Sequence, residues 1–400
     1  MSSKNSAIRP SRAILSLSAL TLLVTGAVLY AGPLDPPAGP VTSTYKTLSE
    51  VEPRTAINAN NTPGDADSLF KITQPGSYYL TGNITGVVGK HGIKIVASGV
   101  TLDLNGFDLV GVAAMGSFSG VIAQAPLLTN IAVVNGSVRS WGYIGVDLGS
   151  SDVKGGRVEG VRANGNALTG INGGATIVRC VGTNGQFGIT SGSNATISEC
   201  SASGNSLDGI YANSGSTVSN CSASNNGRDG IDSASGCTII TCSAISNAGA
   251  GIDTGAGCTV TNCSAYFNSL EGITVGAGNT VESCTARGNG IDGILCPSSN
   301  VIRNNTCAMN GINGDGAGIH VTGIDNRIEG NNCTGADCGI RVISNGNFIA
   351  KNTCRNNPLN WDVVAGNVIL VVVGNNAPAV NGISGGSAPG SSDPNANFTY

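Results

Sequence analysis

Acidic side chains in the middle of the chain recur at positions where they could lie side by side. Asp229, Asp232 and Asp253 follow Arg228 in the sequence. Two carboxylates held close together either raise the pKa of one of them or recruit a cation such as calcium. These side chains do chemistry together only if the elements that carry them bring them to one surface.

A repeat of 21 residues supplies such elements. Asp232 and Asp253 are 21 residues apart, and five cysteines keep the same step. So do five Gly-Ile pairs, which begin at Gly209, Gly230, Gly251, Gly272 and Gly293. A fixed period of this length is typical of a solenoid, in which each repeat stacks on the one before. Residues one period apart then lie about 4.8 Å apart on neighbouring coils.

The repeat unit predicts strands rather than helices. Each unit contains short segments of alternating apolar and polar residues, such as 237–240, separated by Gly, Asn and Ser. A unit of 21 residues is too short for two helices, and it lacks a period of 3.6 residues. We therefore expect an all-β, single-stranded parallel β-helix, with Asp232 and Asp253 pointing outward on adjacent coils.

The chain has 13 cysteines, which we expect to be buried free thiols. Stacked Cβ atoms stay about 4.8 Å apart, whereas a disulfide needs about 3.8 Å. Cys237 and Cys258 are predicted to form a short second column, and inward asparagines are predicted to hydrogen-bond up the stack. Nine cysteines are predicted to share the first column: Cys180, Cys200, Cys221, Cys242, Cys263, Cys284, Cys307, Cys333 and Cys354.

Composition divides the chain into four segments. Residues 1–31 have three basic residues followed by an apolar run, which predicts a secretory signal; an uncleaved membrane anchor is the alternative. Residues 32–68 form a Pro/Asn-rich lead-in, and residues 69–373 form the β-helix. Residues 374–400 are a Gly/Ser/Pro-rich C-terminal tail without a packed core.

The charge of the chain and its predicted export limit the kinds of partner that it can have. After the signal, 17 basic residues face 24 acidic ones, which argues against nucleic acid and anionic membranes as partners. We expect a secreted or cell-envelope protein that is a monomer, has no membrane span after cleavage and has polysaccharide as a candidate partner.

The repeated strands and the Asn-to-Gly-Ile corners resemble the right-handed parallel β-helix group. This group includes pectate-lyase-like proteins and the carbohydrate-associated domains called NosD-like or CASH domains. The segments that carry the likeness are 76–81, 100–106 and the motif Asn-x-Ile-x-x-Asn-x-Cys, which ends at Cys307, Cys333 and Cys354. The resemblance implies a right-handed coil with three sheets. It also implies that enzymes of the group act on acidic polysaccharides, with lyases holding calcium on carboxylates and using Arg or Lys as base.

That resemblance gives the central residues two interpretations. In one, Asp229, Asp232 and Asp253 hold calcium and Arg228 removes a sugar proton. In the other, an Asp before Gly caps backbone N–H groups in a turn. The two histidines, His91 and His320, are interpreted as isolated solvated residues.

Because turn chemistry recurs with the repeat, we expect the second interpretation. The predicted function is a non-catalytic binding or structural module associated with cell-envelope or extracellular polysaccharide. This rests on fold analogy. The alternative is a calcium-dependent polysaccharide lyase acting on uronate polymers.

Overall fold

The computed structural model describes residues 52–149, 153–374, 380–382 and 393–400. The predicted signal segment, 1–31, lies outside these residues. Within them the chain forms 45 strands joined by turns, and the strands of each sheet pair in parallel from one coil to the next. The predicted all-β parallel solenoid is therefore confirmed.

One face of the coil is a sheet with a single strand from each of fifteen coils, which we call the front sheet. Its strands are Ser68–Ile72, His91–Ile95, Val121–Ala123, Ile144–Asp147, Thr169–Gly173, Phe187–Ser191, Ile210–Ala212, Ile231–Ser233, Ile252–Thr254, Ile273–Val275, Ile294–Cys296, Ala317–Val321, Cys338–Val342, Leu359–Val363 and Val380–Gly382.

The rest of each coil belongs to a bent sheet of 28 strands, which we call the back sheet. It has two strand columns, and Ile131–Arg139 and Arg157–Asn164 run through both. The first column contains Thr55–Ala56, Gly76–Tyr79, Val100–Asp103, Thr176–Val178, Thr196–Ser198, Thr217–Ser219, Thr238–Ile240, Thr259–Thr261, Thr280–Glu282, Val301–Arg303, Arg327–Glu329, Phe348–Ala350 and Val368–Ile369. The second column contains Ile84–Thr85, Asp108–Val110, Val181–Thr183, Ser201–Ser203, Ser222–Ser224, Ser243–Ile245, Ser264–Tyr266, Thr285–Arg287, Thr306–Ala308, Asn332–Thr334, Thr353–Arg355, Val372–Gly374 and Asn397–Thr399. A separate pair joins Leu128–Thr129 to Val153–Lys154.

The Gly-Ile pairs fix where the front sheet begins. The isoleucine of each pair points inward and is fully buried, as at Ile231 and Ile252, and burying such a side chain stabilises the fold by about 2–3 kcal/mol. The glycine is needed because backbones approach closely there. A Cβ on Gly230 would lie 2.6 Å from both the Gly251 carbonyl oxygen and Asn247 Nδ2.

The asparagine columns stack as predicted. Asn226 Oδ1 accepts a hydrogen bond from the backbone N–H of Asn205 at 3.2 Å and from its Nδ2 at 2.9 Å. The same pair of bonds recurs between Asn226 and Asn247. Each buried amide thus satisfies the backbone of the neighbouring coil, so the ladder ties consecutive corners together.

All 13 cysteines are buried free thiols, but the predicted column of nine is wrong. Cys284 N–H donates to Asn305 Oδ1 at 2.8 Å, and Cys307 pairs in register with Ala286. The first column is therefore cysteine up to Cys284 and asparagine from Asn305 onward, while Cys307, Cys333 and Cys354 continue an alanine column. The 21-residue step is unchanged here, from Cys284 to Asn305 and from Ala286 to Cys307. Cys307 follows Cys284 by 23 residues because this cysteine stands two positions further along its coil. The second column, in which Cys237 N–H donates to Cys258 Sγ at 3.2 Å, is confirmed.

Strands also lie outside the predicted 69–373 range. Thr55–Ala56 pairs with Gly76–Tyr79. Asn397–Thr399, within the predicted tail, pairs with Thr353–Arg355, and Asn397 is fully buried. Part of the tail therefore belongs to the packed coil. No helix among the described residues is long and apolar enough to cross a membrane.

Candidate functional site

The outward face of the front sheet brings the predicted acidic residues together. Asp232 lies in register between Tyr211 and Asp253, and Thr274 follows Asp253. The predicted stacking of Asp232 and Asp253 on neighbouring coils is thus seen. Both carboxylates are only partly exposed.

The aspartates that precede the Gly-Ile pairs have a structural role. Asp208 Oδ1 accepts the backbone N–H of Asp229 at 3.1 Å, and Asp229 Oδ1 accepts the N–H of Ala250 at 2.7 Å. Each carboxylate therefore caps the next coil with one oxygen, as the turn interpretation predicts. Its other oxygen is left for a second contact.

Arg228 contacts three carboxylates. Its Nε donates to Asp208 Oδ1 at 2.6 Å, and its Nη2 donates to Asp208 Oδ2 and, at 2.7 Å, to Asp232 Oδ2. Asp229 Oδ2 lies 3.2 Å from Nε. We call Arg228, Asp208, Asp229 and Asp232 the Arg228 cluster. Among the described residues, no basic side chain lies within 4 Å of Asp253, so it stays outside the cluster.

Asp208 is the member that the sequence analysis did not propose as a site residue. It is fully buried and makes the bidentate contact with Arg228, one coil away. Such a contact is among the strongest that a carboxylate forms. The sequence does contain a signal for this contact. Asp208 lies 21 residues before Asp229, so it stands on the neighbouring coil, which the long Arg228 side chain can reach.

Burial raises the pKa values of several carboxylates in and beside the cluster. Burial, helped by the neighbouring charges of Asp208 and Asp253, raises the pKa of Asp232 to about 6. Burial is also the first cause that raises the pKa values of Asp208 and Asp253. Three carboxylates share one guanidinium, so ionisation of all of them would leave an excess of two negative charges.

The predicted calcium site does not fit this arrangement. The carboxylate oxygens of Asp208, Asp229 and Asp232 lie within 4.8 Å of one another, and Asp253 is not part of that group. Arg228 donates to or closely approaches all three, so a guanidinium takes the place of the cation. Calcium needs six to eight oxygen ligands, and these carboxylates direct their oxygens to the guanidinium instead.

A pocket of about 340 Å³ opens beside the cluster. Phe187 and Tyr211 stand on its walls as two partly exposed aromatic rings, and the cluster supplies charged groups at its edge. Its lining residues are Leu168, Thr169, Phe187, Thr190, Asp208, Tyr211 and Arg228. The combination of aromatic faces with a few polar groups is typical of a small-molecule or sugar site.

A second polar group lies further along the same face. His320 Nδ1 is 2.9 Å from Asp292 Oδ2, and Asp292 Oδ1 accepts the N–H of Ala317 at 2.7 Å. His320 lies in register between Leu295 and Arg341. The interpretation of His320 as an isolated solvated residue is therefore wrong.

The other histidine is also partly enclosed. His91 Nδ1 accepts the backbone N–H of Ser119 at 2.9 Å, and Phe118 packs edge-on against its ring at 4.9 Å. Burial lowers its pKa. His91 lies on a coil far from the Arg228 cluster and holds a turn in place.

Comparison with known proteins agrees with the fold. The chain matches the family described as "Right handed beta helix region" over residues 129–276 and 212–359. No curated protein matches the sequence. Among solved structures, it resembles the Azotobacter vinelandii mannuronan C-5 epimerase AlgE4 A-module at 17% identity and a TM-score of 0.46, covering 70% of this chain and 86% of that one.

Two further solved structures resemble this chain to a similar degree. The periplasmic alginate epimerase AlgG is 13% identical with a TM-score of 0.39, covering 72% of this chain and 78% of that one. The catalytic domain of an α-1,3-glucanase is 11% identical with a TM-score of 0.38, covering 63% of each chain. At these identities the likeness concerns the fold alone. Because the family match spans more than half of the 400 residues, the chain belongs to the right-handed β-helix family.

Proposed function

We propose that this protein binds neutral polysaccharide on the outward face of the front sheet, without cleaving it. The observation that carries the proposal is the pocket in which Phe187 and Tyr211 lie beside Asp208 and Arg228. Aromatic rings pack against the apolar faces of pyranose rings, and the neighbouring charged groups orient the sugar hydroxyls.

The charge of the face favours a neutral ligand. Asp208, Asp229 and Asp232 surround one arginine, and Asp253 follows on the next coil. A uronate polymer would bring more negative charge to carboxylates whose pKa values already rise from crowding and burial. A hydroxyl group, in contrast, donates a hydrogen bond to a carboxylate oxygen at no electrostatic cost.

The arrangement of Arg228 gives no support to a lyase. A base must lose its proton, but the guanidinium donates to two aspartates, and these contacts favour its protonated form. Arginine is in any case protonated at any physiological pH. We therefore assign Arg228 a binding and structural role.

The stacked coils suit a long ligand. Beyond the pocket, the outward column continues with Asp232, Asp253 and Thr274, one polar side chain on each coil. Groups repeated about every 4.8 Å can contact successive parts of one chain weakly. Such a surface suits a secreted or cell-envelope protein that holds extracellular polysaccharide, as the predicted signal segment also suggests.

Affinity electrophoresis in gels that contain neutral or acidic polysaccharides tests the proposal. We expect neutral polymers to retard the protein and Tyr211→Ala to abolish most of that retardation. Phe348→Ala is the matched control, because Phe348 is a partly exposed aromatic residue on the back sheet, where Arg327 lies over its ring. Equal migration of the wild type in every gel, or equal loss in both variants, would contradict the proposal.

A further inference from the structure

A polar corner lies inside the coil, in the turns that follow the front sheet. Cys237 and Cys258 occupy the same position of this turn on neighbouring coils, and both thiols are buried. Asn279 takes that position on the next coil, where its Oδ1 accepts the backbone N–H of Cys258. Ser233 and Thr254, which end two front-sheet strands, point inward beside these turns and are in register. We call these five residues the thiol corner.

Three polar side chains of the thiol corner have no hydrogen-bond partner for one of their atoms. These atoms are Ser233 Oγ, Thr254 Oγ1 and Asn279 Nδ2, and none of the three residues is more than 4% exposed. Among the described residues, eight buried side-chain N and O atoms lack a partner, so three of the eight belong to this one corner. Buried polar groups are normally paired, and an unpaired one calls for an explanation such as a bound ion. The thiol corner therefore has the character of a ligand site.

The two sulfur atoms repeat with the step of the coil. Cys237 Sγ donates to the carbonyl oxygen of Asn213 at 3.3 Å. Cys258 Sγ makes the same contact with the carbonyl oxygen of Ala234, also at 3.3 Å. Each sulfur thus has the same place on its own coil, and the two are separated by one coil repeat of about 4.8 Å. The Cys237 thiol and, more weakly, the Ser233 hydroxyl lower the pKa of Cys258, which indicates that this hydroxyl faces the Cys258 sulfur.

This spacing of the sulfurs favours one class of ligand. Two metal–thiolate bonds of about 2.3 Å each, arranged in line, span about 4.6 Å, which is close to the coil repeat of about 4.8 Å. Thiolates prefer soft cations, and a soft monovalent cation such as Cu(I) takes two thiolates in line. A structural zinc ion needs four ligands in a tetrahedron, whereas the thiol corner offers two sulfurs. A disulfide is disfavoured as well, because it needs Cβ atoms about 3.8 Å apart.

The longer column of cysteines, which ends at Cys284, differs from the thiol corner. Its sulfurs also stack, and Cys221 Sγ donates to the carbonyl oxygens of Ser219 at 3.2 Å and Ile197 at 3.7 Å. However, none of the eight unpaired atoms found in the described part of the chain belongs to the strands or turns that carry this column. The thiol corner also lies beneath exposed turn residues such as Gly236, so displacement of one turn opens a path to it.

From this geometry we infer that the thiol corner binds one soft monovalent metal cation between Cys237 Sγ and Cys258 Sγ. Binding forms two metal–sulfur bonds and releases both thiol protons to solvent, so the bound unit has a net charge of −1. The hydroxyls of Ser233 and Thr254 and the Asn279 amide supply hydrogen-bond donors for these two thiolates, and charge-assisted bonds of this kind are strong. The site is separate from the front-sheet pocket, and its occupancy does not depend on polysaccharide.

Titration of the reduced protein with Ag(I), a soft monovalent cation that is stable in air, tests this inference. We expect the first equivalent to bind with two sulfur ligands, as X-ray absorption measures, and the Cys237→Ser/Cys258→Ser variant to bind it at least a hundred-fold more weakly. Serine suits this corner, because Ser216 has the same position one coil earlier. The Cys221→Ser/Cys242→Ser variant is the matched control and should bind the first equivalent as the wild type does.

A substitution beside the sulfurs tests the role of the unpaired atoms. Ser233→Ala should weaken the first Ag(I) equivalent several-fold, because it removes a donor to the thiolates. The same change should raise the melting temperature of the metal-free protein, since it deletes an unpaired buried hydroxyl. Alanine fits this inward position, because Ala212 holds it on the preceding coil.

Several outcomes would overturn the inference. It is wrong if the wild type and the Cys237→Ser/Cys258→Ser variant bind the first equivalent equally well. It is also wrong if the Cys221→Ser/Cys242→Ser variant loses that equivalent, since the ion would then lie in the longer cysteine column. X-ray absorption that shows no sulfur ligands at one equivalent would contradict it too. None of these measurements involves polysaccharide, so a negative result here is distinct from a failure of the proposed front-sheet function.

Discussion

The Arg228 cluster and the Asp292–His320 pair lie on the same outward face and share one construction. In each, an aspartate before a glycine caps the next coil with Oδ1 and offers Oδ2 to a basic side chain. The first has a permanently charged arginine among three carboxylates, and the second has a histidine beside one. The first adjoins a pocket with aromatic rings.

This difference shows how a repeat acquires a local function. The capping aspartate is a structural device that the coil can use at any turn. A site arises where a neighbouring coil adds a cation and two rings to it. Substitutions should therefore affect the two regions differently.

The largest stability effect is expected from Arg228→Ala. It leaves Asp208 fully buried without its bidentate partner. Breaking a fully buried pair costs about 3–5 kcal/mol, and because the Arg228 side chain is half exposed we expect a smaller loss of about 2–3 kcal/mol. Urea denaturation measures the loss. Arg303→Ala, which breaks a more exposed pair with Glu282, should cost less than about 1 kcal/mol.

Calcium should affect Arg228→Ala and the wild type differently. Removal of the guanidinium leaves the oxygens of Asp208, Asp229 and Asp232 within 4.8 Å of one another. We expect millimolar calcium to raise the melting temperature of Arg228→Ala by several degrees and to leave the wild type nearly unchanged. An equal shift in both proteins would show that the guanidinium does not exclude the ion.

Asp232→Asn should stabilise the protein at neutral pH. The folded-state pKa of Asp232 is about 6, above the usual value of about 4 for an unfolded chain. The native state therefore holds a proton between pH 4 and 6 that the unfolded state lacks, and ionisation destabilises the fold as pH rises through 6. We expect a gain of about 1–2 kcal/mol at pH 7.5 and none at pH 4. Urea midpoints at the two pH values measure it, and a gain that is equal at both would refute the assignment.

His320→Gln should have the smallest effect. The side chain contributes one hydrogen bond to Asp292, worth about 1 kcal/mol, and glutamine can still donate to that oxygen. Neutral polysaccharide should bind this variant as it binds the wild type. A large loss of binding would place His320 in the ligand site and break the contrast between the two regions.

The sequence predicts the fold and part of the site because both depend on the 21-residue step. That step places Asp232 beside Asp253, as the strand register confirms. It does not reveal how far an arginine side chain reaches back, so the contact of Arg228 with Asp208 was missed. It also fails where a coil lengthens, since His320 is 25 residues after its register partner Leu295. Residue type alone misplaces Cys307, which keeps the 21-residue step with Ala286 and does not continue the column of Cys284.

The central claim is that polysaccharide binds at the front-sheet pocket, and hydroxyl-radical footprinting tests it most directly. Oxidation of each aromatic side chain is measured by mass spectrometry with and without saturating neutral polysaccharide. We predict that the ligand lowers the oxidation of Phe187 and Tyr211 several-fold and leaves Phe348 unchanged. Unchanged oxidation of both pocket residues, in a sample shown to be saturated, would contradict the account.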